Sequence, residues 1–228
     1  MSSATAGLRA WSVDGRIATS AGGARLDLDA PSRGLALANG DAVLGVDLRV
    51  GCAASDHWLR GDDLVAVYEP ADARRLRATA MWRPLAAAGA CSAWELTLSA
   101  QTASWHSDPA LAVTADVACR ELLWSHGAAD AGWTAGAGGP AAEATCVLLR
   151  RPEAATLVAV HPADARRLVV RRAAGRAAIA CWLFSTALEK GVLLRGRVLA
   201  AVGPAAGDEA WAAGLLHAFA ASPPPLTA

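Results

Sequence analysis

Apolar and polar residues alternate along most of the first fifty positions, the period-two pattern of strands with one buried face. Residues 8–13 and 16–20 flank Asp14-Gly15, a pair suited to a tight hairpin because both positions tolerate positive φ. Residues 24–30 and 34–38 flank Pro31-Ser32-Arg33, and Asn39-Gly40-Asp41 supplies the next reversal. Over residues 42–50 the spacing sets Val46, Leu48 and Val50 on one face, with Asp47 and Arg49 on the other. Turn signals at roughly eight- to twelve-residue intervals belong to antiparallel sandwiches rather than to βαβ units.

The pattern then repeats a phrase. LVAVYEPADARRL occupies residues 64–76 and LVAVHPADARRL residues 157–168. Pro-Ala-Asp-Ala-Arg-Arg-Leu contains good helix formers, but LVAV and the LVV that follows the second copy are β-branched. Leu76, Ala78, Ala80 and Trp82 alternate with Arg77, Thr79 and Met81, as in a half-buried strand. Two equivalent hairpins are therefore expected, serving as scaffold. A Cys and a Trp open the strand after each copy, which points to duplication within a single domain. The halves would span about 7–125 and 144–204, joined by a Gly- and Ala-rich loop at about 126–143. Near the end, residues 208–221 predict the one helix, capped by Asp208, with Trp211, Leu215, Leu216 and Phe219 on its apolar stripe. The expected fold is all-β: a two-layer antiparallel β-sandwich, large or pseudo-duplicated, with one C-terminal α-helix packed outside.

Charge and composition narrow the function more by exclusion. Net charge is zero and the pI about 7.0, which leaves no electrostatic footprint for nucleic acid or an anionic membrane. Lys190 is the only lysine, so the arginine and alanine excess reads as the codon preference of a GC-rich genome. Five cysteines without a C-x-x-C pair predict buried free thiols in a reducing compartment. The opening residues lack the basic and apolar regions of a signal peptide, and the longest apolar run, AAIACWLF, is too short to span a bilayer. A cytoplasmic protein is the expectation.

Candidate chemistry concentrates in residues 55–64, where Asp56, His57, Arg60, Asp62 and Asp63 surround Trp58 and the second half has no counterpart. An imidazole beside carboxylates serves as a general acid or base near neutral pH, whereas the plainer reading is a solvated turn. Tryptophan and histidine neighbour one another again at Trp105-His106 and at Trp124 with His126. Nine tryptophans against one tyrosine and two phenylalanines suit stacking on sugar rings. Trp11, Trp82, Trp94, Trp182 and Trp211 are assigned to the core. Glu95 is a further catalytic candidate, although a glutamate in an alternating strand is expected to face water. No metal-ligand spacing, phosphate loop, dinucleotide fingerprint or nucleophile elbow is present, so no cofactor is expected.

Three functions follow as expectations. The first is a non-catalytic binding or scaffold protein that presents Trp58, Trp105, His57 and His106, with Arg60, Asp62, Trp124 and His126 nearby, to a carbohydrate-like ligand or a protein partner. The second is a cofactor-free epimerase- or lyase-like enzyme, in which His57 or His106 moves a proton opposite Asp56, Asp62 or Glu95. The third is a structural subunit of an assembly.

Overall fold

The structure, a computed structural model, describes residues 10–86, 91–126, 132–136, 144–164, 167–184 and 186–223. It is an all-β sandwich of two large antiparallel sheets with one C-terminal helix. The first sheet begins as a meander of β1 (Trp11–Asp14), β2 (Ile17–Ser20), β3 (Arg25–Asp27), β4 (Leu35–Ala36) and β5 (Ala42–Asp47). It continues through β11 (Ala112–Ala118) and β17 (Arg176–Trp182) to an edge at β16 (Arg167–Ala173). The second sheet runs in the order β13 (Thr134–Ala135), β12 (Glu121–Ser125), β14 (Cys146–Arg150), β15 (Ala154–Val160) and β19 (Leu194–Pro204). It ends with β9 (Ser92–Thr102), β8 (Leu76–Leu85), β7 (Asp63–Tyr68) and β6 (Ala54–Arg60). A separate ribbon pairs β10 (His106–Ser107) with β18 (Leu188–Glu189).

Alternation puts Leu64, Ala66 and Tyr68 of β7, and Ala78, Ala80 and Trp82 of β8, into the space between the sheets. Val43 and Leu44 of β5 are both fully buried, which simple alternation forbids. A bulge resolves this: Leu44 takes φ 55° and the pairing with β11 shifts between Thr114 and Asp116. The Trp82 indole then donates to the Leu44 carbonyl at 3.0 Å, so the bulge and the largest inner side chain fix each other. Beyond the end of β5, Arg49 takes φ 68°, so Val46 and Leu48 stay inside while Val50 turns outward, 42 % exposed, against the face expected for it.

Several local expectations shift. The first hairpin turns at Gly15-Arg16, with Asp14 still paired to Ile17. The helix α1 (Asp208–Ala221) covers the residues expected, but Gly207 caps it in the left-handed region. Asp208 does not cap. Its buried carboxylate instead takes Arg150 through two bonds of 2.6 and 2.8 Å. Ala212, Leu216 and Phe219 bury against Leu148, Leu157, Leu199 and Ala201 on the outer face of the second sheet. Trp211 and Leu215 only flank that contact.

The repeated phrase is a hairpin only once. β7 and β8 pair within the second sheet, as expected. In the second copy, β15 stays in that sheet while β16 joins the first. Identical letters are tied differently. Asp72 accepts the Arg74 backbone N–H and grips its guanidinium, which curls the loop back. Asp164 accepts the backbone N–H of Arg197 on β19, and the chain goes on to cross a gap of about 10 Å between layers. Ala165 and Arg166 of that loop, most of the expected linker at 126–143, and residues 224–228 lie outside the described residues. Within the linker, Thr134 and Ala135 form a short strand on β12.

Candidate binding site

The sequence positions that face away from the core on β5, β11, β17 and β16 line up in three rows. Register sets Asp47, Ala112, Trp182 and Arg167 side by side. Gly45, Thr114, Ala180 and Val169 form the next row, and Ala42, Asp116, Ala178 and Arg171 the third. The middle of this face is therefore built from glycine, alanine and threonine, while its ends and flanks carry tryptophan, arginine and aspartate. Small side chains beside large ones leave a depression. The result is an open trough of about 1000 Å³ on the outside of the first sheet. At a strand spacing of about 4.8 Å it is roughly 14 Å across from β5 to β16.

One bank is the 3₁₀ turn Pro31–Arg33, the other the edge strand β16. The turn sits hard on β5. A Cβ on Gly45 would lie 2.6 Å from both the Ser32 carbonyl and Thr114 Oγ1, so glycine is required for this approach. Thr114 Oγ1 donates to the Ser32 carbonyl at 3.3 Å and fixes the turn to the floor. Arg33 is thereby held on one bank, with Arg167 and Arg171 on the other.

Electrostatics are uneven. Asp116 is satisfied by Arg176, whose Nε lies 2.8 Å from Oδ1. Asp41, fully buried at one end, accepts the Ala118 backbone N–H at 2.9 Å and faces Arg151 at 3.2 Å. Asp47 accepts the Arg49 backbone N–H at 2.7 Å. Among the described residues, Arg33, Arg167 and Arg171 have no carboxylate partner, and no histidine lines the trough. Trp182, expected in the core, is half-buried and walls one end of the trough.

None of the ten residues singled out from the sequence lines this trough. His57 lies mid-way along β6, the edge of the other sheet, where its Nδ1 is 3.4 Å from an Arg16 guanidinium. Arginine has only protons to offer, so within this hydrogen bond Nδ1 is the acceptor. Asp56 spends one oxygen on the His57 backbone N–H at 2.8 Å. Trp58, 42 % exposed, points to the opposite side of β6 from His57, and exposed Arg60 and Asp62 lie at the turn beyond it. The Asp62 carbonyl receives the Trp11 indole N–H.

His106 stands in the β10–β18 ribbon opposite Glu189, beside Trp105, which is 79 % exposed beneath the Lys190 ammonium at 5.5 Å. His106 shares a cleft of about 430 Å³ with Asp108, but Arg49 and the Ala110 backbone N–H already hold that carboxylate. Trp124 is half-buried against the core, with the His126 ring edge-on at 5.4 Å. Glu95 does not face water. It is 7 % exposed on the outer face of β9, next to Arg83, and its carboxyl is held above the usual range by burial. The candidates thus fall at four separate places rather than one.

A local signal for the trough does exist, in Arg176–Trp182. Ala177, Ile179 and Cys181 are the buried set, so the outward set is Ala178, Ala180 and Trp182. An outward strand face made of alanine and tryptophan in place of polar residues marks a surface shaped to receive something. The chain matches no protein-family model and no curated protein.

Proposed function

We propose that the protein is a non-catalytic β-sandwich binding protein that holds an extended saccharide along the trough of the first sheet. The observation that carries this reading is the register of β5, β11, β17 and β16. It sets a smooth floor of small residues between an indole wall and banks of guanidinium groups. Sugar rings offer flat apolar faces to an indole and a fringe of hydroxyls to charged side chains, and this trough supplies both kinds of partner. Binding rather than turnover is favoured by the state of its carboxylates. Asp116 is committed to Arg176 and Asp41 to Ala118 and Arg151, and the remaining carboxylate, Asp47, has no histidine in the lining to exchange a proton with. The exposed Trp58 and Trp105 lie outside the trough and are assigned no part in it.

The test is direct. Trp182→Ala is expected to weaken saccharide binding by about tenfold or more, the equivalent of one lost stacking contact, while Trp182→Phe keeps most of it. Isothermal titration against a panel of soluble oligosaccharides reads this out. Unchanged affinity in a folded Trp182→Ala protein excludes the trough as the binding surface.

A further inference from the structure

We infer that the ligand of this trough is an anionic saccharide of more than one ring, with its acid groups gripped by the arginines of the two banks. This rests on the saccharide reading above and adds the charge and the minimum length. Arg33, Arg167 and Arg171 line the trough with no carboxylate partner among the described residues, while Asp47 is the one lining carboxylate without a cation beside it. Three unpaired positive groups against one negative leave a local excess on a chain whose total charge is zero. Such an excess is not a by-product of a basic protein. It is local to this trough.

The spacing sets the length. Arg167 and Arg171 point to the same side of β16, four residues apart, which at about 3.3 Å per residue separates them by about 13 Å. A single sugar ring does not bridge that distance, so the two guanidinium groups meet acid groups on different rings. Arg33 reaches in from the opposite bank and serves the other side of the same chain. Guanidinium forks bind carboxylate and sulfate oxygens in pairs, which gives direction as well as attraction. Asp47 and the Thr114 hydroxyl remain as hydrogen-bonding partners for sugar hydroxyls.

A nucleic acid strand offers the same negative charge, but two features favour a saccharide. Sequence-tolerant strand binding uses successive aromatic platforms, and this trough has one, Trp182. Its floor also carries Asp47 and the Thr114 hydroxyl, which match the free hydroxyls found on every ring of an acidic saccharide and far scarcer along a phosphodiester chain.

The experiment uses the full chain and four probes: a linear galacturonate tetramer, the neutral galactose tetramer of the same linkage, a sulfated tetrasaccharide, and single-stranded DNA. Titration calorimetry is run on wild type, Arg167→Gln, Arg171→Gln and the double variant, with melting curves to establish folding. The uronate or the sulfated probe is expected to bind, each arginine removed to cost about tenfold, and affinity to fall as salt rises. The two acidic probes separate a carboxylate from a sulfate preference, and either supports the inference. Neutral and acidic tetramers bound equally, with no effect of the arginine changes, overturn the charge assignment and leave the saccharide reading standing. No binding of any saccharide by folded protein overturns both. DNA bound more tightly than every sugar, with loss in the double variant, replaces the inference with a nucleic-acid site. The salt dependence of the wild type decides the question even if a variant fails to fold.

Discussion

Glu95 shows how much a single position on a sheet face is governed by its cross-strand neighbours. It stands on β9 between Arg83 of β8 and Leu199 of β19, and the Thr97 hydroxyl donates to its Oε1 at 3.5 Å. Burial raises its pKa, and the nearby Arg197 and Arg83 only partly offset this. A carboxyl whose folded pKa lies above its unfolded value binds more protons in the native state. Stability therefore falls as pH rises from about the unfolded pKa through the folded one. Glu95→Gln removes that loss, so the variant is expected to melt higher than wild type near neutral pH. The difference should shrink as pH drops into the carboxylate range, as followed by thermal melts across a pH series. A variant that melts lower at neutral pH would show that the charged form is the stabilised one. Glu95 and Trp182 depart from the pattern of their strands for the same reason. Alternation says which residues share a face, but not whether that face is covered, and cover comes from strands far away in the chain. Trp82 and Trp11 were legible because the faces they occupy are apolar along their whole length.

At the scale of elements, the second PAD phrase is the seat of the helix. His161 Nδ1 accepts the Ala163 backbone N–H, so Nε2 carries the proton toward the Ala220 carbonyl at 3.3 Å. Its ring meets Phe219 edge-on at 5.2 Å, and Arg197 stacks on the same phenyl ring while donating to the Ser222 carbonyl at 3.0 Å. Burial lowers the His161 pKa, Arg197 lowers it further, and Asp164 opposes them. With the folded pKa below the unfolded value of about 6.5, the unfolded chain takes up the proton first. The stabilisation is complete above that pH and is lost as pH falls below it. Wild type is thus expected to lose stability between neutral pH and the acid range in a step that His161→Asn lacks. Denaturant titration at several pH values measures this, and parallel curves for the two proteins would remove His161 from the cause. The helix itself was readable down to its residues because its stop and stripe are local. Its cap was not, since Asp208 is drawn to Arg150, a residue on β14 that no local pattern connects to it. The split of the second phrase between sheets is equally hidden, because Asp72 closes on Arg74 within its own loop whereas Asp164 is drawn to Arg197, a residue on β19 that no local pattern connects to it.

For the whole molecule, two layers and their antiparallel character follow from short alternating segments and frequent turns, and both were visible in the sequence. The trough is legible only in part, from the outward Ala178, Ala180 and Trp182 of β17. It exists only once β5, β11 and the β16–β17 hairpin, three segments many tens of residues apart, are set in register. Polar ties between the sheets stand at both ends of β5, beside the strand pairing that defines the register. At one end Arg74 of the β7–β8 loop donates to the Leu48 and Ala110 carbonyls. At the other, Asp41 meets Arg151 from the β14–β15 turn, with Arg176 at 3.9 Å. The second tie is the more vulnerable, because the Asp41 side chain is fully buried and removal of either partner strands a charge. Asp41→Ala is expected to cost about 3–5 kcal/mol, whereas replacing Asp41 and Arg151 together by apolar residues costs less than the two single changes combined. Urea denaturation of the four proteins gives the coupling energy. The cost also has a functional reading, because Asp41 borders the trough and anchors the end of β11 through Ala118. If the clamp sets the floor, the folded Asp41→Ala protein loses saccharide affinity along with stability. The double variant recovers stability without recovering affinity. Full affinity in folded Asp41→Ala would instead mean that β11 keeps its place by strand pairing alone, and the ties would be of no consequence for binding.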